Sequence, residues 1–221
     1  MEYERWAPLY REILLDFGFS PERDVESARI LERIIPPPDS ALVRLGGLSG
    51  KKVMIVGPAC SGEDVESVSR TPFPVIAADS AVKIFGKSGT APTVIVTDLD
   101  GNLREIAKLA SQGATVVVHA HGDNIQLLDE AKRFGDCILG TCQCRQFGKL
   151  FNFGGFTDGD RSAFLAERFG ASSVELVGFD FERPAPKPGA DPDVKLRKLA
   201  WAKRLLGSVK IPVTAGGQPF V

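Results

Sequence analysis

The chain lacks a long apolar run, an excess of either charge, and an abundance of cysteine, and each lack excludes a class of protein. No stretch of its 221 residues approaches the ~20 consecutive apolar residues of a membrane-spanning helix, so no membrane role is expected. Twenty-seven Lys and Arg stand against 28 Asp and Glu, too even a balance for the basic field of a protein whose main partner is nucleic acid. Glycine and proline, 23 and 15 residues, fall short of a disordered or collagenous composition. The opening Met1-Glu2-Tyr3-Glu4-Arg5-Trp6 is acidic and has neither the basic region nor the apolar core of a secretion signal. A cytoplasmic protein is expected, with its four cysteines reduced. Cys137, Cys142 and Cys144 lie close together, but their spacing lacks the C-x-x-C knuckle of structural zinc sites. Zinc held by them with His119 and His121 is the weaker reading.

The chain divides by texture. Residues 1–45 form a helical region: Glu4 to Asp16 and Glu22 to Ile35 repeat apolar side chains at helical spacing, and Ser20-Pro21 supplies an N-cap followed by a proline at the first helical position. Pro36-Pro37-Pro38 ends it. Its charges alternate in sign, so it is expected to be a cap away from the chemistry or an oligomer surface, a homodimer being one such arrangement. Residues 46–221 form an α/β domain. Short apolar runs, at 53–56, 75–78, 93–96, 115–118, 137–139 and 174–177, alternate with amphipathic segments such as Asn102 to Ser111, Asn124 to Arg133 and Asp158 to Phe169. Continuous apolarity marks strands buried on both faces. The predicted fold is α/β, an open, doubly wound, mainly parallel Rossmann-like sheet with an N-terminal helical cap.

Ligands of such sheets bind beyond the carboxyl ends of the strands. The residues that follow the apolar runs are Gly57, Asp79, Asp98, His119 and Gly178. More acid follows, at Asp100, Asp123, Asp158 and Asp160, so the carboxylates gather on one rim. A single aspartate there is ordinarily a helix N-cap; this many at close range repel unless a hard cation neutralises them. The rim therefore points to a phosphorylated nucleotide carried as its Mg²⁺ complex. Gly57-Pro58-Ala59-Cys60-Ser61-Gly62 is neither G-x-G-x-x-G nor a Walker loop. His119 and His121 fit contact with a substrate, a core role or zinc, in that order of preference.

Ala77-Ala78-Asp79-Ser80, Pro92 to Gly101 with its Thr97-Asp98-Leu99-Asp100, Phe156-Thr157-Asp158-Gly159-Asp160 and Glu175-Leu176-Val177-Gly178 follow the motif order of thiamin pyrophosphokinases. From about Lys51 to Leu206, including His119-Ala120-His121-Gly122-Asp123-Asn124 and the lysine-rich segment before Trp201, the chain more closely resembles the archaeal 6-hydroxymethyl-7,8-dihydropterin diphosphokinases of tetrahydromethanopterin biosynthesis. Ser80-Ala81 stand where thiamin pyrophosphokinases carry glycines, and their C-terminal thiamin-binding domain has no counterpart, which disfavours thiamin. The resemblance implies that ATP gives a diphosphate to a pterin alcohol and releases AMP; the residues themselves supply the mechanics, Asp98 and Asp100 being expected to hold Mg²⁺ with Asp79, Asp123 or Asp158 completing the shell. It implies Gly57, Asp79, Ser80, Thr157, Asp160, Arg161 and Lys198 for the nucleotide, His119, His121 and Asn124 for the acceptor, and Asp123 for the hydroxyl proton. Phe151, Asn152 and Phe153 are further acceptor-pocket residues on this reading. Three rivals remain: a haloacid-dehalogenase-like phosphatase, for Asp98-Leu99-Asp100-Gly101; a nucleotide-sugar glycosyltransferase; and a nucleotide-binding module without turnover.

Overall fold

The computed structural model describes residues 1–184, 189 and 191–220. Nine strands form one sheet: β1 (Lys52–Val56), β2 (Val75–Ala78), β3 (Val94–Thr97), β4 (Thr115–Ala120), β5 (Ile138–Cys142), β6 (Leu150–Phe151), β7 (Ser173–Val177), β8 (Val213–Ala215) and β9 (Gln218–Pro219). Their order is β6-β5-β4-β3-β2-β1-β7-β8-β9, and every pairing is parallel except that of β8 with β9. The chain winds outward from β1 in one direction and returns to its other side as β7, so the order reverses at β1 and β7. The six strands expected from apolar runs are present. The short strands β6, β8 and β9, at the two ends of the sheet, are additions that no apolar run announces, and β4 runs on through His119.

Helices α1 (Tyr3–Phe17), α2 (Pro21–Ile34), α3 (Asp39–Gly46), α4 (Gly62–Ser69), α5 (Val82–Ser88), α6 (Leu103–Ser111), α7 (Asp158–Arg168) and α8 (Pro192–Leu206) cover both faces. Alternation along the strands sorts them. Val53 and Ile55 of β1 face Trp6 and Ile13 of α1, Leu45 of α3, Phe164 of α7 and Leu205 of α8. Met54 and Val56 face Leu31 of α2, Val65 of α4, Phe85 of α5 and Ile106 of α6. Residues 125–134, expected as an amphipathic helix, form a 3₁₀ helix. Its buried residues are Leu128, Ala131 and Phe134, a spacing of three that stacks side chains where a 3₁₀ helix eclipses them.

The N-terminal helices correct the expectation of a cap away from the chemistry. Because α1 and α2 lie on opposite faces, the connection through Gly18, Phe19 and Ser20 must cross the edge of the sheet, and it does so where it borders the main cleft. Ser20 caps α2 as expected, accepting the Arg23 N–H. Trp6 is fully buried and donates its Nε1–H to the Gln143 carbonyl at 2.8 Å, tying α1 to the segment after β5. Replacement of Trp6 by alanine is expected to cost about 3–5 kcal/mol, as for other buried aromatic truncations, measured by chemical denaturation.

Candidate active site

Asp79 follows β2 directly, Asp98 follows the neighbouring β3, and Asp158 opens α7, which packs across β1, β2 and β3. One carboxylate oxygen from each lies within 4.8 Å of the others. Two backbone features allow this approach. Leu99 adopts φ 72°, a conformation that costs a side-chain-bearing residue on the order of 1–3 kcal/mol; its buried side chain and the bond from its N–H to Thr97 Oγ1 (2.8 Å) hold it there. Gly101 lies against the carboxylate of Asp79, where an added Cβ would sit 2.1 Å from Oδ1.

The three acids do not ionise alike. Burial opposes the charged form of Asp98, but the hydrogen bond and charge of His121, helped by Asp100, outweigh it and hold this carboxyl well below its usual range. Asp158 moves the other way: withdrawal from water, then the charges of Asp98 and Asp79, push it well above the usual carboxylate range. His121 Nε2 lies 3.5 Å from Asp98 Oδ2, and its Nδ1 accepts the Asp123 N–H at 3.3 Å.

Beyond this trio the wall is built at the ends of β4 and β5. His119 and Thr141 are register partners. The Thr141 hydroxyl donates to the Val118 carbonyl at 3.1 Å and lies 3.1 Å from His119 Nδ1. With its only proton used, the hydroxyl accepts from Nδ1–H, leaving Nε2 as a bare acceptor. Burial, then Arg161 and His121, keep His119 neutral, its pKa well below the ordinary histidine value. His119 Nε2, Gln143 Oε1 and Arg161 Nε are buried and have no hydrogen-bond partner within the protein. All three residues border the cleft, and each such orphan costs on the order of 1–3 kcal/mol if nothing satisfies it.

The sequence profile of 6-hydroxymethylpterin diphosphokinases of the MptE-like type matches residues 41–184. Across 95% of both chains, the sequence is 38% identical to a 6-hydroxymethyl-7,8-dihydropterin pyrophosphokinase of Pyrococcus furiosus. The chain belongs to the MptE-like 6-hydroxymethylpterin diphosphokinase family. Relatives with the same name come from Methanocaldococcus jannaschii, 35% identical over 95% of this chain and 96% of that one, and Methanothermobacter thermautotrophicus, 38% identical over 93% and 94%. Among solved structures, an MAf glycosyltransferase from Magnetospirillum magneticum superposes with a TM-score of 0.54 at 13% identity, covering 88% of this chain and 36% of that one. That likeness concerns the fold alone.

In this MptE-like chain the cleft has a volume of about 890 Å³. It brings together Asp79, Asp98, Asp100, Asp123, Asp158, His119, His121, Thr157, Arg161 and Lys198 from the expected set. Other expectations need correction. Asn124 does not border the cleft: its amide donates to the carbonyls of Asp98 and His119 at 2.7 Å, and its oxygen accepts from Ser27 Oγ and the His121 N–H. It braces the two loops. Asp160 is likewise spent, accepting the N–H groups of Phe156 and Thr157 and the Thr157 hydroxyl as the far half of the cap on α7. Gly57 sits behind the cleft, where a Cβ would meet the Gly178 carbonyl and the Phe179 ring at 2.8 Å; Pro58 and Ala59 border it instead. The three carboxylates that converge are Asp79, Asp98 and Asp158: Asp79 lies buried just after β2, whereas Asp100, expected beside Asp98, is exposed and is not among them. The side chain of Ser80 lies outside the described residues.

Phe151, Asn152 and Phe153, expected in an acceptor pocket, lie elsewhere: the two rings stack on each other, and Asn152 donates to the carbonyls of Gln143 and Cys144. The aromatics at the cleft are Phe19, Phe156, Phe179 and Phe181. Lys198 sits over two of them, 5.8 Å from the centre of Phe19 and 5.7 Å from that of Phe156. Sequence reasoning missed Phe19, Arg23, Asp24 and Gln143, of which only the fold shows the position. Arg23 donates to the Gly122 carbonyl, and Asp24 accepts the Gly122 N–H at 2.7 Å and the Tyr10 hydroxyl at 2.5 Å. Among the described residues, no cysteine joins a group close enough to share a metal ion.

The raised pKa of Asp158 carries a sign. A carboxyl that holds its proton more tightly in the folded state contributes stability in full below its unfolded value near 3.8, and loses it as pH rises through the folded value. Asp158→Asn is therefore expected to raise the melting temperature of the metal-free protein at neutral pH while leaving it nearly unchanged near pH 3.5. Differential scanning calorimetry at the two pH values checks this.

Proposed function

We propose that this chain transfers a diphosphate from ATP to the hydroxymethyl oxygen of 6-hydroxymethyl-7,8-dihydropterin and releases AMP. The observation that carries the reading is the convergence of Asp79, Asp98 and Asp158 in a deep cleft, in a chain whose relatives are named for that pyrophosphokinase. The donor set suits Mg²⁺, being all carboxylate oxygen, with Asp158 driven toward its neutral form by burial and then by the charges of the other two. Asp79, Asp98 and Asp158 would hold the ion, with Asp100 on the same loop as Asp98. Bound there, Mg²⁺ supplies charge neutralisation to the phosphates of the nucleotide.

The chain's own groups do the rest by position and charge. His121 presents its Nε2 to Asp98 and fixes that carboxylate. Lys198 sets a cationic group against the phosphate oxygens from the aromatic lip of the cleft, and the buried Arg161 guanidinium adds positive charge behind Asp158. Thr157, the N-cap of α7, borders the cleft beside Asp158, where the positive end of the helix favours an anion. Asp123 is exposed at the cleft next to His121, placed to take the hydroxyl proton as the alcohol oxygen attacks the β-phosphorus. The bond from that phosphorus to the oxygen retained by AMP then breaks. The volume suits two small substrates side by side.

Turnover is expected to require Mg²⁺ and to yield AMP, not ADP, from ATP and the pterin. Asp98→Asn is expected to lower kcat at least 100-fold and to lower the melting temperature at neutral pH, since it removes the ionised partner of His121, while the near-constant volume leaves the protein folded at the assay temperature. Chromatography of the nucleotide products with a melt on the same sample decides it: ADP as product, or a wild-type rate in the variant, overturns the reading.

A further inference from the structure

The three orphaned polar atoms above β4 and β5 have not been given a partner. His119 Nε2 and Gln143 Oε1 are acceptors, and Arg161 Nε–H is a donor; all are buried, and all belong to residues that border the cleft. Their elements are distinct: the end of β4, the residue after β5, and the first turn of α7. Two of the side chains and the backbone of the third are held from behind. Thr141 grips the far side of the His119 ring, Arg161 donates through Nη2 to the Phe156 carbonyl at 3.2 Å, and Trp6 and Asn152 both donate to the backbone carbonyl of Gln143 at 2.8 Å. Such a set is made to be satisfied by something that enters the cleft.

The chemistry of the set restricts what that is. Phosphate oxygens carry no hydrogen to give, and their charge is repelled by the lone pairs of a neutral imidazole and an amide oxygen. The occupant must offer N–H donors to two acceptors and a carbonyl oxygen or ring nitrogen to one donor. A 2-amino-4-oxo-pyrimidine ring edge has that pattern. We propose that His119 Nε2, Gln143 Oε1 and Arg161 Nε form the subsite that reads the fused pyrimidine ring of the acceptor. This rests on the pterin diphosphokinase reading and adds which residues select the heterocycle. The acceptor then lies over β4 and β5, while the nucleotide phosphates lie over β2 and β3 at the acid trio. Its hydroxymethyl arm points across the cleft toward Asp98 and Asp123.

The test is equilibrium binding of 6-hydroxymethylpterin, followed by its fluorescence without nucleotide, to the wild type, Gln143→Met and His119→Leu, with a non-hydrolysable ATP analogue titrated separately. Each variant is expected to raise the Kd for the pterin at least tenfold and to leave that for the ATP analogue within twofold. Gln143→Met removes an oxygen that bonds to nothing in the protein, so its melting temperature is expected to hold or rise, which keeps the test decisive where His119→Leu loses stability with its bond to Thr141. Wild-type pterin affinity in Gln143→Met overturns the subsite and leaves the proposed reaction standing. A loss of ATP-analogue affinity instead assigns these atoms to adenine and also overturns it. A wild-type chain that neither binds nor turns over the pterin overturns both the subsite and the function.

Discussion

Like charges held together are the constraint on which the rest of the site depends. Two ionised carboxylates 4.8 Å apart repel by on the order of 3 kcal/mol at the effective dielectric of a protein surface, and here three lie within that distance. The fold absorbs the repulsion in two ways. Asp98 is kept ionised by His121, and Asp158 is shifted toward its protonated form. The backbone supplies the remainder: the left-handed Leu99 and the side-chain-free Gly101 bring the β3 loop against Asp79.

The N-terminal helices belong to the same construction. The crossing from α1 to α2 borders the cleft with Phe19, and α2 then delivers Arg23 and Asp24 to both sides of the Gly122 peptide. That peptide sits between His121 and Asp123, so the backbone that carries two cleft residues is fixed from a distant part of the chain. Ser27 adds a contact to Asn124, whose amide ties the Asp98 loop to the His119 carbonyl. The loops that follow β3 and β4 are thus coupled through one buried amide and braced by a helix on the opposite side of the chain from them in sequence. A deletion of the N-terminal region would remove part of the site wall, although the acid trio itself lies beyond Lys51.

A division of labour along the rim follows from the strand order. Asp79 and Asp98 follow β2 and β3, His119 and Gln143 stand at the ends of β4 and β5, α7 brings Asp158 to the first pair and Arg161 to the second, and Pro58, Ala59 and Phe179 follow β1 and β7, where the order reverses. Gly178 permits that last junction. It holds φ 67°, and a Cβ there would lie 2.3 Å from the Cys60 backbone nitrogen, so the turns after β1 and β7 touch backbone to backbone.

Much of this was legible in the sequence because it is local. Continuous apolar runs identified the six main strands, since a strand buried on both faces leaves no polar alternation. The acids following those runs marked the rim, since every parallel strand ends on the same edge. What the sequence did not reveal depends on which atoms meet. Asn124 and Asp160 are polar residues in the right motifs, yet their side chains are consumed by backbone N–H and C=O groups of the same loops, and only coordinates show a hydrogen bond already made. Phe19, Arg23, Asp24 and Gln143 belong to no motif. They reach the cleft because α1 and α2 pack on opposite faces, a consequence of matching apolar stripes to two sheet faces at once. Sequence alone determined the fold class, the acidic rim and the family resemblance; tertiary packing decided which carboxylates converge and which buried polar atoms lack a partner, because burial and partnership are properties of pairs brought together from distant parts of the chain.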